Sequence, residues 1–366
     1  MENNKEIERN EVVSVNYSQP KFWHRVMANF VDFFLMLVTF VLLFIGARSI
    51  VLTTPKYKQA EQTIYDTQLN SGLYMPDATG VNKTVDIVYY IDNHMQVYGS
   101  DFAGTAADTN GNGVIDDNEL PTGKIGRIVY AINKFMDYCN DPNVTSNERY
   151  QDLVVYYESA RLDTLTSDGI HYFVKDGDNI IPNETLSSDP EKRKLYYDNV
   201  YVPLVEKKFL PFITSNIPAY RDAYRVEFNF LVFLELPVSY ALAGFLVYFV
   251  PPLFFKRGRK TLGKALYHIG LLDSRVLSPT FARFTARFAI FFFGELILSL
   301  FTFGIPYIIS FSIMAFSKDK QGFPDYMLHL YEIDTSKGSI YLDYVEAQLK
   351  NELHGEAVDF KMERPL

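Results

Sequence analysis

Cysteine is almost absent from this chain of 366 residues: Cys139 stands alone. An intrachain disulfide and a cysteine-rich zinc centre are both excluded. Histidine is scarce too, at six, and His94, His171 and His268 show no metal-ligand spacing. No nucleophile elbow, HExxH helix, phosphate-binding loop or dinucleotide fingerprint is present, so the chain is not expected to be an enzyme. A basic excess is missing as well, with 35 Lys and Arg against 44 Asp and Glu. That balance excludes nucleic-acid binding through bulk charge. Long disordered stretches are not indicated, with 20 Gly and 17 Pro.

The mean hydropathy of −0.05 conceals a segregation. Between Thr53 and Glu227 lie 26 acidic and 16 basic side chains, so the formal −9 of the chain belongs to that segment. Apolar residues gather on either side of it. Phe30–Leu52 contains an uncharged core, Phe33–Ala47, whose flanks bring it to the ~20 residues a bilayer needs. Asp32 at its start, and the absence of a small-residue cleavage site after it, argue against a signal peptide. A second run, Phe228–Phe255, carries Glu235 as its one charge and ends near Pro251-Pro252. A third, Phe284–Phe316, carries Arg287 and Glu295. Gly304-Ile305-Pro306 is a break signal near its middle. The reading favoured is a hairpin or re-entrant pair, Phe284–Thr302 and Ile305–Phe316, against one bent helix.

The segment Lys256–Arg287 holds eight Lys and Arg and one acid, Asp273. The positive-inside rule places it in the cytoplasm, together with the amino terminus beside Lys21 and Arg25. The same segment also reads as a topology signal attracted to anionic lipid. With a hairpin in the third run, Lys318 and Lys320 fall inside. The acidic segment then lies outside.

That segment is too long for a loop and should form a domain. Helices are predicted over Pro55–Leu69, Lys124–Tyr138 and Ser146–Ala160. The second has Ile125, Ile128, Val129, Ile132 and Phe135 on one face. The third repeats the idea with Leu153, Val154 and Tyr157. Asp189 and Pro190 read as N-cap and first position of a helix to about Phe209. Pro218–Leu236 should feed into the second span. Ile170–Ile181 reads as a hairpin around Asp176-Gly177-Asp178, and Val85–Tyr98 as a strand.

Asp108–Glu119 reads DTNGNGVIDDNE, which matches the EF-hand calcium loop. Asp108, Asn110 and Asn112 bring oxygens to one centre at two-residue spacing. Gly113 allows the sharp bend, Val114 offers its carbonyl, Asp116 a direct or water-mediated ligand, and Glu119 closes the shell. Ile115 occupies the position such loops bury. All-oxygen ligands suit Ca²⁺ over zinc or copper, with a structural role. The flanks depart from the motif: Gly99–Ala107 makes a poor entering helix and Leu120-Pro121 interrupts the exit. A solvated turn without metal is the alternative.

Arg25, Asn29 and Asp32 form one stripe on the first apolar helix, spanning roughly 10 Å. An acid at that depth needs a partner. Arg283 or Arg287 could serve Asp32, while Glu235 could sit at the outer interface. Asp32, Glu235 and Glu295 together could instead form a proton or cation path.

Three stretches then resemble the RDD family. The first is Arg25-Val-Met-Ala28-Asn-Phe-Val-Asp32. The second is Gly258-Arg-Lys-Thr261-Leu-Gly263-Lys264 followed by Gly270-Leu271-Leu272-Asp273. The third is Asp325 within Gly322-Phe323-Pro324-Asp325-Tyr326. The resemblance covers about Lys21–Leu52 and Phe228–Asp334. It implies a bacterial integral membrane protein, with transport suggested and cation/proton antiport proposed for some members. The residues it carries over are Arg25, Asp32 and Asp325, then Thr261, Gly263 and Lys264. Leu328-His329-Leu330-Tyr331 stands where the family often has a Gly-Thr pair, and the large insertion is not part of the usual domain.

The expected fold is therefore an α-helical membrane protein with three or four transmembrane segments. A mostly α (α+β) extracytoplasmic domain is inserted between the first and second. The expected divisions are a cytoplasmic tail (1–20), a first membrane segment (21–52), the insert (53–227) with its loop at 108–119, the remaining membrane domain (228–334) and a C-terminal tail (335–366). Within 228–334 the spans are about 228–255 and 284–316, joined by the basic loop 256–283. The expected activity is transport of an ion or small solute, possible partners being the bilayer and a second copy of the chain, at the plasma membrane. The alternative is a calcium-stabilised binding, sensing or assembly protein.

Overall fold

The computed structural model describes residues 12–14, 17–316, 320–336, 338–352 and 357–359. Lys318 and most of the two tails lie outside the described residues. The fold is mostly helical (63%). Three helices are long and apolar enough to cross a membrane: Phe22–Val51, Pro218–Phe254 and Phe281–Phe301. A shorter apolar helix, Ile305–Phe316, follows. The break expected at Gly304 is a turn over 302–304, with Gly304 at φ 84°, so the third run is two helices. The chain divides into two compact units, 51–231 and 1–50 with 232–366.

In the unit 51–231, helix Lys124–Asn140 supplies the centre. Its predicted face (Ile125, Ile128, Val129, Ile132, Phe135) is buried throughout, because 3.6-residue periodicity puts these side chains on one stripe. Leu153 of helix Asn147–Leu162 joins the same core. Asp189 caps the next helix, accepting from Glu191 N, and Pro190 opens it. That helical run continues to Asn216, beyond the expected end at Phe209. Wider π-turns at Tyr197–Tyr201 and Val205–Phe209 carry it past Pro203 and Pro211. Proline removes an N–H and crowds the preceding turn, and a wider turn absorbs both effects. Tyr196 sits at 0% exposure with Phe102, Tyr172 and Phe173 set edge-on around it. Helix Pro55–Asn70 packs along Pro218–Asn229, where Gln68 Nε2 donates to Tyr220 OH at 3.3 Å.

The strand expected over Val85–Tyr98 is corrected. Thr84–Asp86 pairs antiparallel with Tyr74–Pro76, and Ile87–His94 is a helix. Asp86 decides the switch, since its carboxylate accepts from Tyr89 N and caps the helix start. Ile87, Val88 and Ile91 then face the core. The expected hairpin is present: Phe173–Asp176 pairs with Asn179–Pro182 across Gly177 at φ 61°.

In the other unit, the apolar helices meet through small residues. A Cβ on Gly244 would run into Leu296, a close approach typical of helix packing in lipid. Phe33, Phe34, Leu37, Val41 and Leu42 face outward, as lipid contact requires. The basic segment after the second span is not a free loop. Ile269–Leu272 pairs antiparallel with Tyr331–Asp334, over a small core of Leu272, Val276, Ile333 and Ile340. Val12–Ser14 pairs parallel with Ala357–Asp359.

Two glycines at positive φ separate backbone strain from steric clash. A Cβ on Gly104 (φ +62°) would strike the backbone of Gly126, Val129 and Tyr130, whereas Gly80 (φ +70°) faces open space. Gly80→Ala should cost about 1–2 kcal/mol, from the left-handed conformation alone. Gly104→Ala should cost about 2–5 kcal/mol, from strain plus overpacking. Denaturant melts of the purified chain compare the two directly; equal losses would contradict the packing described.

Candidate functional site

The first apolar helix turns Asp32 inward to 1% exposure. Its partners are not Arg283 or Arg287. Thr261 Oγ1 donates to Oδ2 at 2.5 Å and Gly263 N donates to Oδ1 at 2.7 Å. Thr261 also caps the short helix Leu262–Leu266, accepting from Lys264 N. Gly263 is required by proximity: a Cβ there would run into the Ala28 carbonyl oxygen. A neutral hydroxyl and one backbone amide thus hold a carboxylate that the apolar helix could not carry alone.

One face of this clasp carries further charges. Lys264 Nζ lies 2.7 Å from Glu332 Oε1, and Arg25 Nε lies 3.5 Å from Glu332 Oε2. Arg25 Nη1 also donates to the Lys320 carbonyl at 2.6 Å. Arg287 grips Asp325 with two parallel bonds, Nε–Oδ1 at 2.5 Å and Nη2–Oδ2 at 2.9 Å. Burial would raise the Asp325 carboxyl, but the Arg287 guanidinium outweighs it and holds the carboxyl below its ordinary value. Arg283 and Arg275 instead pair with buried Asp273. Several bases of the 256–287 segment are therefore ion-paired, which leaves few to attract lipid.

Glu235 is fully buried and pairs with Arg48, in the last turn of the first apolar helix, at 3.1 Å. Glu235 Oε2 and Glu332 Oε2 lack a hydrogen-bond partner, but each of those acids is ion-paired through its other oxygen, and among the described residues Glu295 is in no ion pair. It sits on the π-helical stretch Ile290–Ile297 at 5% exposure, and its Oε1 has no hydrogen-bond partner. Such wide turns recur at functional sites. Glu295 lines a cavity of about 110 Å³ with Asn29, Lys264, Arg287, Ser310 and Asp325. Asn29 is weakly engaged too, its amide reaching only the Met314 sulfur at 3.9 Å. A second cavity, of about 450 Å³, is lined by Phe33, Tyr240, Ser299, Gly304 and Tyr307. Tyr307 lines both and meets Tyr248 hydroxyl to hydroxyl at 3.3 Å.

The sequence-predicted residues Arg25, Asp32, Thr261, Gly263, Lys264 and Asp325 thus stand in one polar cluster. Sequence reasoning missed Glu332, which joins Arg25 to Lys264, and the pairing of Arg287 with Asp325. A signal existed: two buried bases with no assigned acid demand one, and Glu332 follows soon after the last motif.

Residues 213–329 match the RDD family. The chain carries an RDD family domain. With its three long apolar helices, it is a multi-pass membrane protein. The match spans less than half of the chain, and Arg25, Asp32 and Glu332 lie outside it. No curated protein and no solved structure matches the chain.

In the unit 51–231, the loop 108–119 is closed by its own hydrogen bonds. Asp108 accepts from the N–H groups of Gly111, Asn112 and Gly113. The amides of Asn110 and Asn112 both donate to Asp116 Oδ2, at 2.8 and 3.0 Å. Glu119 accepts from Asp116 N, from Thr109 N and Oγ1 and from Asn110 N. The Asp116 N–H, then the Thr109 hydroxyl, bring the Glu119 carboxyl down to about 2. The loop therefore loses this support as pH falls from about 4.5 towards 2. Ile115 is 36% exposed rather than buried, and Val114 is exposed. Among the described residues, no group of three or more His, Cys, Asp or Glu side chains stands where it could hold a metal.

Removing one partner of a buried ion pair strands the other. Arg287→Met should cost about 3–5 kcal/mol by leaving Asp325 unpaired, and adding Asp325→Leu should restore much of it. Thermal melts of the single and double variants in detergent test this. A double variant no better than the single would contradict the pairing.

Proposed function

We propose that the chain is a transport-related membrane protein handling a proton or small cation, with Glu295 as the exchanging carboxylate. One observation carries this reading: a nine-tenths buried acid whose Oε1 lacks a partner lines a cavity that Lys264, Arg287 and Asp325 also reach, among apolar helices. Intramembrane acids are expensive and are kept where they move or bind charge. Size favours an ion over a larger solute. The cavity of about 110 Å³ beside Glu295 holds a few waters or a small cation. The shared wall at Tyr307 offers a route between the two cavities. Asp32, engaged by Thr261 and Gly263, is assigned a structural role. Arg287–Asp325 and Lys264–Glu332 set the field at the end of the route.

The proposed setting is the plasma membrane, with the amino terminus cytoplasmic and 53–227 outside. The eight bases of Lys256–Arg287 support that orientation. A homo-oligomer in the bilayer is proposed because so few helices enclose little alone. No enzymatic role is assigned.

Proteoliposomes under a pH and Na⁺ or K⁺ gradient test this reading. Wild type should exchange protons against cation. Glu295→Gln should lower flux at least about tenfold while melting like wild type, since Oε1 loses no bond. Unchanged flux in Glu295→Gln would overturn the assignment.

A second reading concerns the insert: a calcium-stabilised binding or assembly domain. Gly113 at φ 81°, with Asp108 gathering three N–H groups, supports it, as this bend is what the motif's sixth position demands. Asn110, Asn112 and Asp116, whose side chains meet, would hold the ion with Asp108, Glu119 and the Val114 carbonyl. Calorimetry on the full chain should show Ca²⁺ binding at about 10⁻⁴–10⁻³ M, abolished by Asp108→Ala with Glu119→Ala. No heat at these concentrations would reduce the loop to a turn.

A further inference from the structure

The unit 51–231 buries a charge that its own fold leaves without an ion pair. Arg127 lies on helix Lys124–Asn140 at 3% exposure. Among the described residues no carboxylate forms an ion pair with it. Its side-chain hydrogen bond runs from Nη2 to the Met75 sulfur at 3.6 Å, and Tyr90 lies under the guanidinium at 5.8 Å. Neither compensates a full charge: a thioether is a weak acceptor, and a ring at that distance contributes little. Burial pulls the Arg127 guanidinium below its ordinary value, the direction expected of a cation short of counter-charge.

The same side chain lines a cavity of about 230 Å³. Arg127, Tyr130, Ala131 and Lys134 recur three and four apart, so one stripe of the helix forms a wall of that cavity. Ala131 of this stripe also joins the apolar core, so the cavity lies at the edge of that core. The Lys134 stem lies over Gly72, where a Cβ would fall 2.8 Å from its Cδ, so the small residue at 72 lets the lysine lie along the rim. Other walls are apolar, from Leu69, Met75 and Ile87. The loop 108–119 closes the cavity with Ile115 and Asp117, which explains why Ile115 is not sealed in the core.

We propose that this cavity is a binding site for a small monoanionic carboxylate with an apolar body. Its carboxylate would be taken by Arg127 and Lys134. Two cations and one acid, Asp117, line the cavity, leaving a surplus of one positive charge that matches a monoanion and disfavours a dianion. A guanidinium fork pairs with a carboxylate through two parallel bonds, and the Leu69, Met75 and Ile87 side accepts a short apolar body. Asp117, exposed on the loop, acts on Arg127 electrostatically without pairing to it; it sets selectivity by repelling a second negative charge. The site is independent of the transport reading, because every residue in it belongs to the unit 51–231.

Calorimetry and thermal melting of the full chain in detergent test the site, with benzoate as probe and inorganic phosphate and benzylamine as comparisons. Benzoate should bind saturably and raise the melting temperature, and benzylamine should do neither. Arg127→Met should weaken benzoate at least about tenfold, the loss expected for a charged hydrogen-bonded contact. Lys134→Ala, an exposed position that leaves the fold intact, should weaken it severalfold and serves if Arg127→Met fails to fold. Asp117→Asn should tighten it. Three results would each overturn the proposal: no saturable benzoate binding to folded wild type up to about 10 mM; phosphate bound in preference to benzoate; or Asp117→Asn melting lower with benzoate affinity unchanged, which would make Asp117 the structural counter-charge of Arg127.

Discussion

The membrane unit depends on one requirement: a carboxylate placed among apolar helices must find donors inside the protein. Asp32 meets it with the Thr261 hydroxyl and the Gly263 amide. Much of the unit follows from that contact. Gly263 must be glycine for the backbone to reach Ala28 and Asp32. Thr261 must both cap its helix and donate to the acid. Lys264 is thereby delivered to Glu332, and Glu332 to Arg25. Because Glu332 lies on the strand paired with Ile269–Leu272, the clasp also ties the polar segments to the apolar helices.

Against this pattern of satisfaction, the exceptions carry the functional argument. Asp32 and Asp325 are fully served, and Glu235 is held by Arg48 through one oxygen. Glu295 retains a partnerless oxygen facing a cavity. Arg127 in the other unit is its counterpart of opposite sign, a buried cation beside a thioether. Other buried atoms lack a hydrogen-bond partner too, among them Arg25 Nε, Glu235 Oε2 and Glu332 Oε2, but those three residues are ion-paired, whereas Glu295 and Arg127 are in no ion pair among the described residues. Glu295 and Arg127 each line a cavity, of about 110 and about 230 Å³.

Much of this was legible in the sequence, for identifiable reasons. Helix Lys124–Asn140 was readable because its apolar residues keep one period, and the Asp189-Pro190 start because capping chemistry is local. The break at Gly304 was readable because glycine and proline punctuate any run. The segment Ile87–His94 was not, since its β-branched residues favour a strand until Asp86 caps them into a helix. The polar cluster was readable as a set of residues but not as a set of bonds. For Asp32 an arginine partner and a proton or cation path both stood open, and the carboxylate is held by a hydroxyl and a backbone amide instead, a choice fixed by the close approach of Gly263 to Ala28. Glu332 and the cavity wall of Arg127 depend on chain segments brought together only by tertiary folding, so periodicity within one helix could not reveal them.

The central claim is that one intramembrane acid is available for exchange while its neighbours are committed to structure. A membrane-permeant carbodiimide, which couples to accessible protonated carboxyls in apolar surroundings, tests it on the intact chain in lipid, with the modified residue located by peptide mass spectrometry. Glu295 should be modified, with Asp32 and Asp325 unmodified. Modification at Asp32 with Glu295 untouched would contradict it.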